Sequence, residues 1–124
     1  MNWQTVENRL VIDGNDVVEF PYLIYDVKQI QDTVVVVLDV PDDYFFPRNA
    51  FGYVLSEKRL WQVGEYRHGG PGDYCRILGF SQSDIPEQVA FWTWSCFVLQ
   101  TDVCSGEVLQ QILYNLDSRK HLTI

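Results

Sequence analysis

The residues of this chain that could do chemistry are two histidines, three cysteines, a few carboxylate pairs and a group of tryptophans. His68 stands in RHGGPG (residues 67–72), whose glycines suit a phosphate-cradling loop. A P-loop also needs a following Lys-Ser/Thr and a helix N-terminus. Asp73 and Tyr74 come next instead, so the stretch reads as a pliable surface connection. Cys75 adjoins Arg76, a base of the kind that activates a thiol. Cys75, Cys96 and Cys104 nevertheless lack CxxC spacing and a histidine pair, so no metal site is expected. A buried cysteine serves as a small apolar residue. Asp13 with Asp16, and Asp42 with Asp43, are the carboxylate pairs a glycosidase would need. Both lie in turn-like text, where Asp bonds its own backbone. Trp61, Trp92 and Trp94 could stack a sugar or a base, although core packing is the commoner use of such rings. No cofactor is implied, and the chain is expected not to be an enzyme.

The elements that would position these residues read as strands. At 124 residues the chain is expected to be a single β domain spanning 1–124. Residues 9–12 and 16–20 flank Asp13-Gly14-Asn15, a strong hairpin signal, and Pro21 ends the second run. Residues 22–30 are an edge strand or a connection. The TVVVVLDV run (33–40) does not alternate, so both its faces should be covered. Residues 48–63 (RNAFGYVLSEKRLWQV) form a second hairpin, and residues 96–112 a third around Asp102, Ser105 and Gly106. The stretch 88–99 is one bent strand or two short ones. Residues 107–114 fit helical spacing as well, but the Ser-Gly turn before them favours strand. Leu60 and Leu109 begin equivalent return strands 49 positions apart, and Val11 lies another 49 before Leu60, a period compatible with propeller blades. Three such units cannot close a propeller. The expected fold is therefore all-β, a meander of antiparallel hairpins, open or partly rolled, like an incomplete propeller.

Charge narrows the function classes. The net charge is −8, and residues 1–46 hold nine acids (Glu7, Asp13, Asp16, Glu19, Asp26, Asp32, Asp39, Asp42, Asp43) against Arg9 and Lys28. The remainder has eight acids against seven bases. Such a field repels nucleic acid and anionic membrane and attracts a basic protein, or it merely keeps a small protein soluble. No apolar run is long enough for a membrane span, and Met1-Asn2-Trp3-Gln4 does not open a secretory signal. An odd number of cysteines suits the reducing cytoplasm. The DDYFFP stretch (42–47) either packs its rings inward as a plug, the commoner fate, or exposes them as an acidic, aromatic contact.

Four short motifs carry a resemblance: Glu19-Phe20-Pro21-Tyr22, the valine run, Arg48-Asn49-Ala50-Phe51 with Leu60-Trp61-Gln62, and Asp102, Ser105, Gly106 and Leu109 as D-x-x-S-G-x-x-L. Together they resemble a group of small bacterial proteins, and the last hairpin resembles a blade of quinoprotein-type propellers. The cofactor residues of those propellers have no counterpart here, and Ser56-Glu57-Lys58 lacks the usual turn glycine. By class and charge the chain is similar to immunity proteins, which cover the active site of a secreted toxin, often a basic nuclease. That similarity implies a cytoplasmic, non-enzymatic protein with a basic toxin domain as partner. Its contacts are expected from Asp39, Asp42 and Asp43 with Tyr44, Phe45 and Phe46, supported by Glu19 and Asp26. The second reading is a small-molecule site among Trp61, Trp92 and Trp94, and the third a small hydrolase using His68 with Asp73.

Overall fold

The computed structural model describes residues 2–41, 43–66, 76–93, 97–115 and 120–123, with side chains up to residue 112. The first sheet is β1 (Trp3–Val6), β2 (Arg9–Ile12) and β3 (Asp16–Glu19). The second is β4 (Leu23–Ile30), β5 (Thr33–Asp39), β6 (Ala50–Val54) and β7 (Arg59–Gln62). The third is β8 (Ile77–Gln82), β9 (Gln88–Thr93), β10 (Phe97–Asp102), β11 (Val108–Asn115) and β12 (Lys120–Thr123). Each sheet is an antiparallel meander of consecutive strands, and none closes into a barrel. The described residues form no helix, so 107–114 resolves as strand. The 49-residue echo now has a physical meaning. Val11, Leu60 and Leu109 lie on β2, β7 and β11, one in each sheet.

Turn chemistry sets the meanders. Asp13 and Gly14 both take positive φ (50° and 78°) in the tight turn closed by Asn15 N donating to Ile12 O (3.1 Å). Glu7, Gln31 and Lys58 take similar values without being glycine, which is why β1 is harder to see in the sequence. Four residues of Trp-Gln-Thr-Val meet a Glu-Asn turn that carries no glycine signal.

The sheets stack with the second in the middle. Val34, Val36 and Leu38 of β5 pack with Leu10, Ile12 and Phe20 of the first sheet and the strand that leaves it. Val35 and Val37 pack with Ile77, Phe91 and Leu99 on the third-sheet side. A strand buried on both faces has no need to alternate, and of β5 only Asp39 reaches solvent.

Two side chains join the second sheet to the third. Asn49, fully buried, donates from Nδ2 to Leu38 O (3.0 Å) and Ile77 O (2.8 Å), and its Oδ1 accepts from Ile77 N (2.7 Å). Trp61 donates from Nε1 to Val103 O (3.0 Å) and lies against two glycines. A Cβ on Gly52 would come within 2.1 Å of the indole, and one on Gly106 within 2.4 Å. Gly106 also has φ of 78°, so that position requires glycine twice over. A third contact ties two turns within the second sheet: Ser56 N donates to Asp32 Oδ2 at 3.1 Å, and its hydroxyl donates to the same oxygen.

Two predictions follow from these contacts. Asn49→Ala leaves buried Leu38 and Ile77 backbone groups unpaired, and Gly52→Ala drives a methyl into Trp61. Each is expected to lower unfolding free energy by at least about 2 kcal/mol in urea melts. Asp32, held by the Ser56 hydroxyl and then by the Ser56 N–H, has its carboxyl below the ordinary value of 3.8. A depressed folded-state value contributes stability above the ordinary one, lost as pH falls through the depressed one. Carbon-13 titration should place the Asp32 midpoint below 3.8, and Ser56→Ala should move it upward. Identical midpoints in the two proteins would contradict the pairing.

Candidate functional site

The crossover from the first sheet to the second builds the most distinctive surface. Phe20 turns into the core and meets Phe51, ring centroids 5.1 Å apart. Asn8 holds this corner from both sides, with Phe20 N donating to Asn8 O (2.8 Å) and Asn8 Nδ2 donating to Phe20 O (2.8 Å). Pro21 breaks the ladder, and Tyr22 emerges half-buried. Its ring receives Phe46 nearly edge-on at 5.4 Å and Tyr44 at 6.2 Å. The 42–47 loop thus divides its three rings. Phe46 packs inward as a plug, while Tyr44 is 54% and Phe45 65% exposed. A turn closed by Tyr44 N donating to Pro41 O (3.0 Å) presents this pair, with the exposed Asp43 beside it.

Asp39, opposite Leu23 at the end of β5, is the hinge of the surface. It forms one wall of a groove of about 540 Å³ with Asn8, Pro21, Tyr22, Leu23 and Pro41. On its other side a groove of about 320 Å³ runs between Tyr25, Arg76 and Leu78. Arg76 donates to Val40 O, pinning the entry to β8 against the end of β5. Tyr25 is the extra residue of a bulge in β4, and bulges at sheet edges re-aim side chains toward solvent. Leu23 and Tyr25 are both exposed there.

The structure separates the expected contact residues into groups. Asp39, Asp43, Tyr44 and Phe45 belong to this surface, and Phe46 supports it from below. Asp42 lies outside the described residues. Glu19 is exposed in the first sheet, at the register position opposite Arg9. Asp26 is half-buried at the bulge, its Oδ1 accepting from Val27 N (3.0 Å). Neither lines either groove. The residues that sequence reasoning missed are Asn8, Leu23 and Tyr25. The only local signal for them was the proline that ends β3 and forces the chain to turn beside Asn8.

The tryptophans do not gather. Trp61 is 6% exposed beneath Gly106, whereas Trp92 lies on the outer face of the third sheet, 40% exposed. Trp94 lies outside the described residues, as do His68, Asp73, Cys75 and Cys96. Cys104 is an exposed free thiol in the β10–β11 turn. Among the described residues, no group of His, Cys, Asp and Glu is placed to hold a metal ion. No helix of the described residues is long and apolar enough to cross a membrane.

Exposure divides the rings by role, and stability should follow. Replacing Tyr44 and Phe45 together with serine is expected to change unfolding free energy by no more than about 0.5 kcal/mol. Phe46→Ala, which removes the support of Tyr22, should cost about 1–3 kcal/mol in the same melts. Equal losses would make the whole loop structural.

The chain belongs to the family described as a domain of unknown function (DUF7957), whose model matches residues 1–113. That span contains every residue of the two grooves and of the aromatic loop. No curated protein matches the chain.

Proposed function

We propose that this member of the family is a non-enzymatic binding protein of the immunity type, which neutralises a basic toxin domain in the bacterial cytoplasm by covering its active site. The observation that carries the reading is the pairing of exposed rings with uncompensated acid. Tyr44 and Phe45 stand in solvent next to Asp43 and the Asp39 groove, and none of these acids forms an ion pair among the described residues. Aromatic side chains at the centre of a contact supply most of its binding energy, and a surrounding acidic field speeds encounter with a basic partner. The same field works against phosphate backbones, so nucleic acid is not the partner in this reading.

The partner of an immunity protein is commonly encoded beside it, and this directs the test. The product of the gene immediately upstream, expressed alone in a bacterial host, is expected to arrest growth, and co-expression of this chain to restore it. Association of the two proteins should slow with added salt. Asp39→Lys combined with Asp43→Lys should lower the on-rate at least about tenfold. A metabolic operon upstream, or an on-rate indifferent to both changes, would sink the proposal.

A further inference from the structure

The groove on the Tyr22 side of Asp39 has a composition that selects its occupant. Pro21, Leu23 and Pro41 give it apolar walls, and neither proline has a backbone N–H to offer. Its polar side chains are Asp39, Asn8 and Tyr22. The Asp39 carboxylate can only accept hydrogen bonds. Asn8 uses one of its two amide N–H donors on Phe20 O, and its Oδ1 remains an acceptor. The Tyr22 ring is fixed in place by Phe46 and Tyr44 and forms a flat aromatic wall. Such a groove is rich in acceptors, apolar along its length and aromatic on one side. Among the described residues, no lysine or arginine lines it. The second groove differs on that point, because Arg76 lines it together with Asp39.

We infer that the Asp39–Tyr22 groove is a receptor for an arginine side chain of the protein partner. This deepens the binding-protein reading and rests on it. A guanidinium carries five donors and no acceptor, which complements a carboxylate and an amide oxygen. Its planar face stacks on an aromatic ring, and its three-carbon stem covers apolar surface such as Leu23 and the prolines. Lysine carries the same charge but cannot bond Asp39 bidentately or stack, so it is the poorer ligand. The groove, at about 540 Å³, has room for one such side chain and part of the backbone that presents it.

The test uses the full chain, labelled with nitrogen-15, and three capped tripeptides, Gly-Arg-Gly, Gly-Lys-Gly and Gly-citrulline-Gly. The arginine peptide is expected to give saturable amide shifts concentrated at Tyr22, Leu23, Asp39 and Val40. The lysine peptide should bind more weakly, and the neutral citrulline peptide should not bind. Asp39→Asn should weaken arginine binding at least about tenfold, whereas Asp84→Asn, at an exposed acid elsewhere, should leave it unchanged. Shifts spread evenly over the exposed carboxylates, equal binding of arginine and citrulline, or binding that survives Asp39→Asn would each overturn the inference. Failure of the two ideas can be told apart. An upstream-encoded toxin bound equally well by wild type and by Asp39→Asn removes the groove alone. An arginine peptide held in the groove of a chain that ignores that toxin removes the immunity reading alone.

Discussion

Asn49 makes three hydrogen bonds from a site with no access to water, and they run to two different sheets. A buried amide of this kind tolerates little displacement, because every partner it loses becomes a desolvated, unpaired backbone group. It therefore sets the distance between the end of β5 and the start of β8. Trp61 does the same at the other edge of the sheet, where the indole is held between Gly52 and Gly106 and bonded to Val103. Hydrophobic burial drives the sheets together without direction. These two contacts supply the direction.

The consequence reaches the surface. Asp39 follows Leu38, whose carbonyl accepts from Asn49, and precedes Val40, whose carbonyl accepts from Arg76. A carboxylate carried between two anchored residues is preorganised, and preorganisation lowers the entropy that binding at such a group would cost. The loop that follows leaves this rigid point, sends Phe46 back under Tyr22, and projects Tyr44 and Phe45. The scaffold and the candidate contact are thus adjacent in the chain and different in character. Residues 48–63, the most sheet-like stretch, hold the architecture, and the acidic loop before them is free to vary in what it touches.

Much of the fold was legible because its signals are local. Four consecutive valines announced a strand covered on both faces, and Asp13-Gly14 announced a tight hairpin. The three positions of the 49-residue echo fall on β2, β7 and β11, one in each sheet. β1 was not legible, since its turn places Glu7 at positive φ with no glycine to mark it. The expectation that the aromatic loop would either plug or protrude was too simple. It does both, because Tyr22, which holds Phe46 down, comes from a segment 24 residues earlier.

The sequence by itself determined the strands, the turns and the sign of the field, all of which depend on neighbours a few residues apart or on composition alone. Tertiary structure decided which of the acids lies in a groove. Glu19 and Asp26 belong to the same acidic first third as Asp39, yet one lies at the register position opposite Arg9 and the other caps its neighbour's N–H. Asp39 alone of these three acids meets Asn8, Tyr22 and Pro41 in a groove. Its walls come from separate stretches of chain, and their meeting depends on how the first sheet crosses to the second. Side-chain alternation records which face a residue takes within its own sheet, and carries no information about what another sheet brings beside it.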